Sequence, residues 1–248
     1  MIGNLNGHRA LVTGASRGIG RAIALRLAQA GADIGVLRKQ SSDEEVMMEL
    51  RALGVKAIGV KADVSDSRQV KRAIEEVWDK IGTVDILVNN AAISDIHYTS
   101  AWELEEKMWD HMYEVNMKGV FLCCAQVLPS MIKAKWGRII NIASTSGISG
   151  GTSGIHYAAS KGGVIALSKA LAMEVARFGI TVNVVAPSKI DTDMFRLMNP
   201  GDRREKTRQK IPVGRLGRPE DIAEAVAYFA GEEAGYTTAQ VLVVSGGY

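Results

Sequence analysis

Residues 12–20 read Val-Thr-Gly-Ala-Ser-Arg-Gly-Ile-Gly and join a short β-type run, Arg9 to Thr13, to a helical pattern. That pattern carries Ile23, Leu25, Leu27 and Ala28 toward Gly31. A strand, a glycine turn and an amphipathic helix in this order commit the chain to opening with a βα unit. Gly14, Gly18 and Gly20 let the backbone turn tightly and let the helix pack close to the strand, while the helix start offers free N–H groups to an anion. Gly14, Ser16, Arg17, Gly18, Ile19 and Gly20 are therefore candidate contacts for the pyrophosphate of a dinucleotide.

The alternation continues along the chain. Further β-type runs are Asp33 to Leu37, Val55 to Val60, Val84 to Val88, Arg138 to Ala143, Ile180 to Ala186 and Gln240 to Val244. Helical patterns fill the gaps at Ser42 to Leu53, Ser65 to Ile81, Trp102 to Met131 in two stretches around Asn116, Tyr157 to Phe178, and from Arg218 onward. Strands alternating with helices predict an α/β fold, a Rossmann-type doubly wound parallel seven-stranded sheet with helices on both faces. A chain of 248 residues suits one such domain, residues 1–248. Lys189 to Lys210 loses the β periodicity and carries a cluster of arginines and lysines, which predicts a lid at about residues 189–212. Asp191 and Asp193 within it read as charges at a helix start.

The second strand ends at Arg38-Lys39, where such a unit holds the adenosine ribose. Cations there suit a 2′-phosphate, so NADP(H) is favoured and NAD(H) is the alternative; Arg17 offers a third positive charge. A formal charge of +3 without a basic, aromatic-interleaved face argues against nucleic acid. Cys123 and Cys124 read as buried thiols, pointing to a reducing compartment. The start, MIGNLNG, lacks signal-peptide order, and no apolar run approaches the ~18 residues of a membrane span. The expectation is a cytoplasmic protein without a membrane segment. His8, His97, His111 and His156 are scattered without spaced partners, which argues against a metal centre.

The chemistry concentrates in Ser144 to Lys161. Tyr157 and Lys161 stand four residues apart, on one face of a helix. An ammonium about 4 Å from a phenol is worth roughly 4 kcal/mol at a dielectric of ~20, enough to bring the phenol from ~10 toward neutral pH. Ser144, at a strand end, can hydrogen-bond the same substrate oxygen. Asn116, among Val115, Met117, Val120 and Phe121, reads as a buried amide that breaks the helix locally and holds a water. The apolar residues of the Tyr157 to Phe178 helix fall on more than one face, which suggests a covering partner subunit.

The ordered set Thr13-Gly14-x-x-x-Gly18-x-Gly20, Asp63, Asn89-Asn90-Ala91, Asn116, Ser144, Tyr157-x-x-x-Lys161 and Pro187-x-x-Ile190-x-Thr192 resembles the short-chain dehydrogenase/reductase family over nearly the whole chain. The resemblance implies a catalytic set of Asn116, Ser144, Tyr157 and Lys161. It also implies cofactor contacts at Asp63, Val64, Asn89, Asn90, Ala91, Tyr157, Lys161, Pro187, Ser188, Ile190 and Thr192, in addition to the glycine turn, Arg38 and Lys39. Lys161 would hold the nicotinamide ribose and lower the Tyr157 pKa, and a homotetramer would be expected. Four positions depart from the family pattern: Ala92, Ser188 and Ala239 stand where Gly is usual, and Ser245 where Asp is usual.

Three functions stay open. Arg17, Arg38, Lys39 and the Lys135 to Arg138 stretch suit a ketone reductase similar to 3-oxoacyl carrier-protein reductases, with substrate on acyl carrier protein or CoA. The small and hydroxylated loop Ser149 to His156 suits a sugar, polyol or cyclic-alcohol dehydrogenase instead. A dinucleotide-binding protein without chemistry is the third, opposed by the intact Ser144, Tyr157 and Lys161.

Overall fold

A computed structural model describes residues 3–39, 43–95, 98–151 and 153–248. Ser42, His97 and Thr152, which bear on the sequence reading, lie outside the described residues. The strands are β1 (Arg9–Thr13), β2 (Asp33–Arg38), β3 (Ala57–Lys61), β4 (Ile86–Asn89), β5 (Gly137–Ile142), β6 (Ile180–Pro187) and β7 (Val241–Val244). The helices are α1 (Gly18–Gln29), α2 (Glu44–Ala52), α3 (Ser67–Ile81), α4 (Glu106–Tyr113), α5 (Gly119–Ala134), α6 (Ser146–Ser149), α7 (Ile155–Val175), α8 (Asp193–Met198), α9 (Asp202–Gln209) and α10 (Pro219–Ala230). The strands form one sheet in the order β3-β2-β1-β4-β5-β6-β7, every neighbouring pair parallel.

Both faces of the sheet are covered, and the strand sequences show why. In β1, Ala10 and Val12 join a core with α1, α2 and α10, while Leu11 between them joins a core with α3, α5 and α7. β4 divides the same way, with Ile86 and Val88 on one side and Leu87 on the other. Side chains alternate along a strand, so a run apolar at every position must be buried on both faces. Removing a full-sized apolar side chain from water is worth about 1.5–3 kcal/mol, and each central strand does this on two sides.

Two expectations change. The glycine-rich segment after β5 is not all loop: its first residues close the short α6. The stretch around Asn116 is one continuous helix, Glu106–Ala134, of 29 residues, with mean hydropathy of 1.4 over 18 of them. By length and composition alone it would suit a membrane span, although no uninterrupted apolar run in it approaches 18 residues. Here its Cys123, Cys124, Val127 and Met131 are core residues beneath the sheet, so its apolar side serves the domain interior.

The strand order reverses direction between β1 and β4, where their two crossover connections leave toward opposite faces. In an open parallel sheet this switch point leaves a crevice at the carboxyl ends of the strands. Thr13 and Asn90 tie its floor together. Thr13 Oγ1 accepts from the backbone N–H groups of Asn90 (3.0 Å) and Ala91 (2.9 Å), and Asn90 Nδ2 donates to the carbonyls of Thr13 (2.9 Å) and Gly14 (3.1 Å).

Candidate active site

A cavity of about 1140 Å³ runs along the carboxyl ends of the strands. Every residue that the sequence reading assigned to the cofactor, Asn89 excepted, lines it: Gly14, Ser16, Arg17, Gly18, Ile19, Gly20, Arg38, Lys39, Asp63, Val64, Asn90, Ala91, Tyr157, Lys161, Pro187, Ser188, Ile190 and Thr192. Ser144 lines it too, whereas Asn116 stands behind the wall, fully buried. Asn89 does not reach it with its side chain, which points into the core and donates to Asn141 Oδ1 at 2.8 Å.

The glycine turn fits a pyrophosphate. α1 begins after Arg17 with no side-chain cap and no acidic residue in its first turn, so its leading N–H groups are left for an incoming anion. Gly20 admits no larger residue: a Cβ there would fall 2.3 Å from the Gly14 carbonyl oxygen. At the far end, Ser188 Oγ is buried without a hydrogen-bond partner among the described residues. A buried hydroxyl is seldom left so, and it offers a polar contact at the end of the cavity. The residues present therefore fit a dinucleotide.

The adenosine end carries cations that are partly neutralised. Arg38 Nε lies 2.8 Å from Asp43 Oδ2, and Lys39 Nζ forms an ion pair with Asp63. Burial alone would raise the Asp63 carboxyl, but hydrogen bonds from Lys39 and Ser65 hold it below the usual range. Arg17 is exposed at the rim.

The Ser144 hydroxyl stands close enough to the Tyr157 phenol to lower its pKa, and its oxygen accepts from Ser146 N–H at 3.1 Å. Lys161 is buried, and its Nζ donates to the Ile142 carbonyl at 2.8 Å and lies 5.9 Å from the centre of the Tyr157 ring. This geometry corrects the expected electrostatics. Burial pushes the Tyr157 phenol up, and the neighbouring Ser144 hydroxyl offsets only part of that rise. Burial pushes Lys161 down to about 8. The ammonium is aimed at the strand and not at the phenolic oxygen, so the lysine does not acidify the tyrosine in this arrangement.

Asn116 occupies a π-helical turn, Glu114–Lys118, set between α4 and α5. A π turn accommodates one extra residue and so re-aims a side chain. Asn116 Oδ1 accepts from Ile93 N–H at 2.8 Å, while Nδ2 donates to the Ile93 carbonyl (2.9 Å) and to Ser160 Oγ (3.2 Å). The amide thus fixes the segment after β4 against α7. Its side chain meets protein groups on both ends, where the sequence reading expected a water.

Residues that sequence reasoning missed complete the far end. Ile93, Ser94, Asp95 and Tyr98 line the cavity from the segment after β4, and Met194, Phe195, Met198 and Asn199 line it from α8 and its C-terminus. Ser94 Oγ approaches Met198 Sδ at 3.9 Å. Asp191 is more than a helix-start charge: it pairs with Arg196 of α8 (3.0 Å) and with Arg204 of α9, and those two arginines outweigh burial to keep its carboxyl low. Thr192 caps α8 by accepting from Phe195 N–H at 3.3 Å.

A family model for short chain dehydrogenases matches residues 8–203. The chain belongs to the short-chain dehydrogenase family. Among curated proteins, a 3-oxoacyl-[acyl-carrier-protein] reductase of Staphylococcus epidermidis is 42% identical over 240 residues, spanning 96% of this chain and 97% of the relative. Among solved structures, a 3-oxoacyl-[acyl-carrier protein] reductase of Brucella melitensis with bound NAD is 32% identical at TM-score 0.91, covering 98% of this chain and 92% of that one. A levodione reductase is 31% identical at TM-score 0.93, with 98% of both chains covered. As a short-chain dehydrogenase the protein is an NAD(P)-dependent oxidoreductase acting on CH–OH and C=O groups.

Proposed function

We propose that this protein reduces a 3-oxoacyl thioester to the 3-hydroxyacyl thioester with NADPH, the acyl group being carried on acyl carrier protein or CoA. The observation that carries the reading is that Ser144, Tyr157 and Lys161 line one cavity continuous with the glycine turn. The identity to 3-oxoacyl reductases over nearly the full chain supports the substrate class.

NADPH, when bound, supplies the hydride. Tyr157, its phenol kept protonated at neutral pH by burial, donates a proton to the carbonyl oxygen as that oxygen gains charge. Ser144 holds the same oxygen. Lys161 fixes the nicotinamide ribose and carries positive charge beneath the phenol, and Asn116 positions the Ile93 segment against α7. Arg38, Lys39 and Arg17 receive the 2′-phosphate, which makes NADPH the preferred nucleotide.

Residues 1–248 act as one domain, with α8 and α9 as the lid. Exposed Phe121, Met173, Leu242 and Val243 support assembly into a homotetramer, and the two free cysteines fit a cytoplasmic setting. A polyol or cyclic-alcohol dehydrogenase is the second reading, favoured by the hydroxyls of Ser146 and Ser153 along the cavity.

Following NADPH absorbance with acetoacetyl-CoA tests the first reading, and sugars, polyols and cyclic ketones in the same assay test the second. Turnover of acetoacetyl-CoA is expected. Its absence, with turnover of a cyclic ketone, would move the assignment to the second reading.

A further inference from the structure

Asp95 and His156 lie together beside the reacting groups, and the mechanism above uses neither. Asp95 follows β4 and lines the cavity with Ser94 and Tyr98. His156 immediately precedes Tyr157 in the first turn of α7 and is 1% exposed. Its Nε2 faces Asp95 Oδ2 at 3.9 Å, an ion-pair separation that is too long for a direct hydrogen bond. Its Nδ1 is buried without a hydrogen-bond partner among the described residues. Room for the ring comes from Gly154, where a Cβ would sit 2.9 Å from His156 Cε1. On its other side, the Asp95 carboxylate accepts from Thr99 Oγ1 at 3.1 Å.

The placement is unusual for a pocket built for an aliphatic chain. Ser144 and Tyr157 mark where the carbonyl oxygen must sit, and Asp95 lines the cavity on the substrate side of them, opposite the adenosine-end cations. Little of its side chain reaches water, with 12% exposed. A carboxylate there repels an anionic group and leaves a bare hydrocarbon in contact with charge. It rewards a donor, because a hydrogen bond to an ionised acceptor is roughly twice as strong as a neutral one. Ser146 and Ser153, bonded to each other at 3.4 Å, extend the polar lining.

We propose that Asp95, backed by His156, is a specificity-determining residue that accepts a hydrogen bond from an N–H or O–H group carried by the substrate beyond its reacting carbonyl. The inference rests on the ketone-reductase reading and deepens it. Two sources of the donor are chemically equivalent: an amide N–H on the thiol arm, or a hydroxyl on the acyl chain.

Three thioesters separate them. The S-ethyl thioester of 3-oxobutanoate has no donor, its N-acetylcysteamine thioester adds an N–H on the arm, and the S-ethyl thioester of an ω-hydroxy-3-oxo acid adds an O–H on the chain. With NADPH, kcat/KM should favour one donor-bearing ester over the donorless one by about tenfold or more. Asp95→Asn, which keeps the shape and removes the charge, should cut that ratio to threefold or less, and Asp95→Ala should abolish it. Enhancement of NADPH fluorescence on binding reports that each variant is folded.

Equal kcat/KM for all three esters, or a ratio that survives in both variants, would overturn the proposal. Calorimetric binding of the matching 3-hydroxy thioesters to the NADP⁺-loaded protein reads the same ratio without turnover. Failure to reduce any of the three would therefore sink the thioester-reductase reading, while the binding ratio would still decide the role of Asp95.

Discussion

Lys161 Nζ donates to the carbonyl oxygen of Ile142, the last residue of β5, across 2.8 Å. The bond ties α7 to the strand end, and it keeps an ammonium in an environment that lowers its pKa to about 8. The usual value is 10.5, so between the two the unfolded chain binds more protons than the native one and stability must rise with pH. Below about 8 both states are protonated and the burial penalty is present in full. Urea unfolding of the nucleotide-free protein should therefore show stability increasing from about pH 8 to 10.5, relative to Lys161→Met, in which this component is missing. Equal pH dependence in the two proteins would count against a buried ammonium.

The same two shifts set the activity profile in the reduction direction. Tyr157 is pushed up by burial and stays protonated through neutral pH, so it imposes no loss below about 8. Lys161 loses its proton near 8. The kcat/KM of the ketone, which reports the free enzyme, should be level through neutrality and fall above about pH 8. A profile that instead rises through that range would assign the proton donor elsewhere.

Replacing Tyr157 by Phe removes the proton donor and leaves the ring in its place. General acid catalysis contributes about 10²–10⁴-fold, and kcat should fall by that amount. Ser144→Ala should cost less, about 10²-fold, because it removes one hydrogen bond to the oxygen and not the proton itself. Steady-state rates with saturating NADPH make the comparison.

Arg38 is the cation on which nucleotide choice turns. Arg38→Ala should weaken NADPH binding about tenfold or more, the worth of a charge-assisted hydrogen bond to phosphate, and should change NADH binding by less than threefold. Fluorescence titration with each nucleotide measures both. The variant also frees Asp43, whose negative charge would then oppose the phosphate.

Ala239 sits at φ 59°, in the left-handed region. An L-residue there costs roughly 1–2 kcal/mol. Glycine would relieve that strain but lose about 0.4–1 kcal/mol through a freer unfolded chain. Ala239→Gly should stabilise by up to about 1.5 kcal/mol, read as a raised Tm. No change in Tm would place the strain elsewhere.

The sheet was legible because the strands are short runs rich in β-branched and apolar residues, with turn residues between them and longer helical patterns in the gaps. β1 matches its expected bounds, while β3 and β7 begin one or two residues later than expected. The nucleotide side of the site was legible for a related reason: its contacts come from strand ends and a turn, which local sequence places. What escaped depends on contacts between distant segments. The direction of the Lys161 ammonium is set by the Ile142 carbonyl, nineteen residues back in sequence. The task of Asn116 is set by Ile93, and the meeting of Asp95 with His156 by the approach of the β4 segment to α7. No spacing in the sequence announces any of these.

The pairing of one carboxylate, Asp191, with arginines from both α8 and α9 ties those two short helices to each other just after β6. Met198, on α8, rests against Ser94 at the substrate end. Under the proposed function, admission of a bulky carrier-bound chain requires the pair to move together. Because the latch is ionic and its arginines are about half exposed, dissolved salt would loosen the door before it disturbed the chemistry behind it.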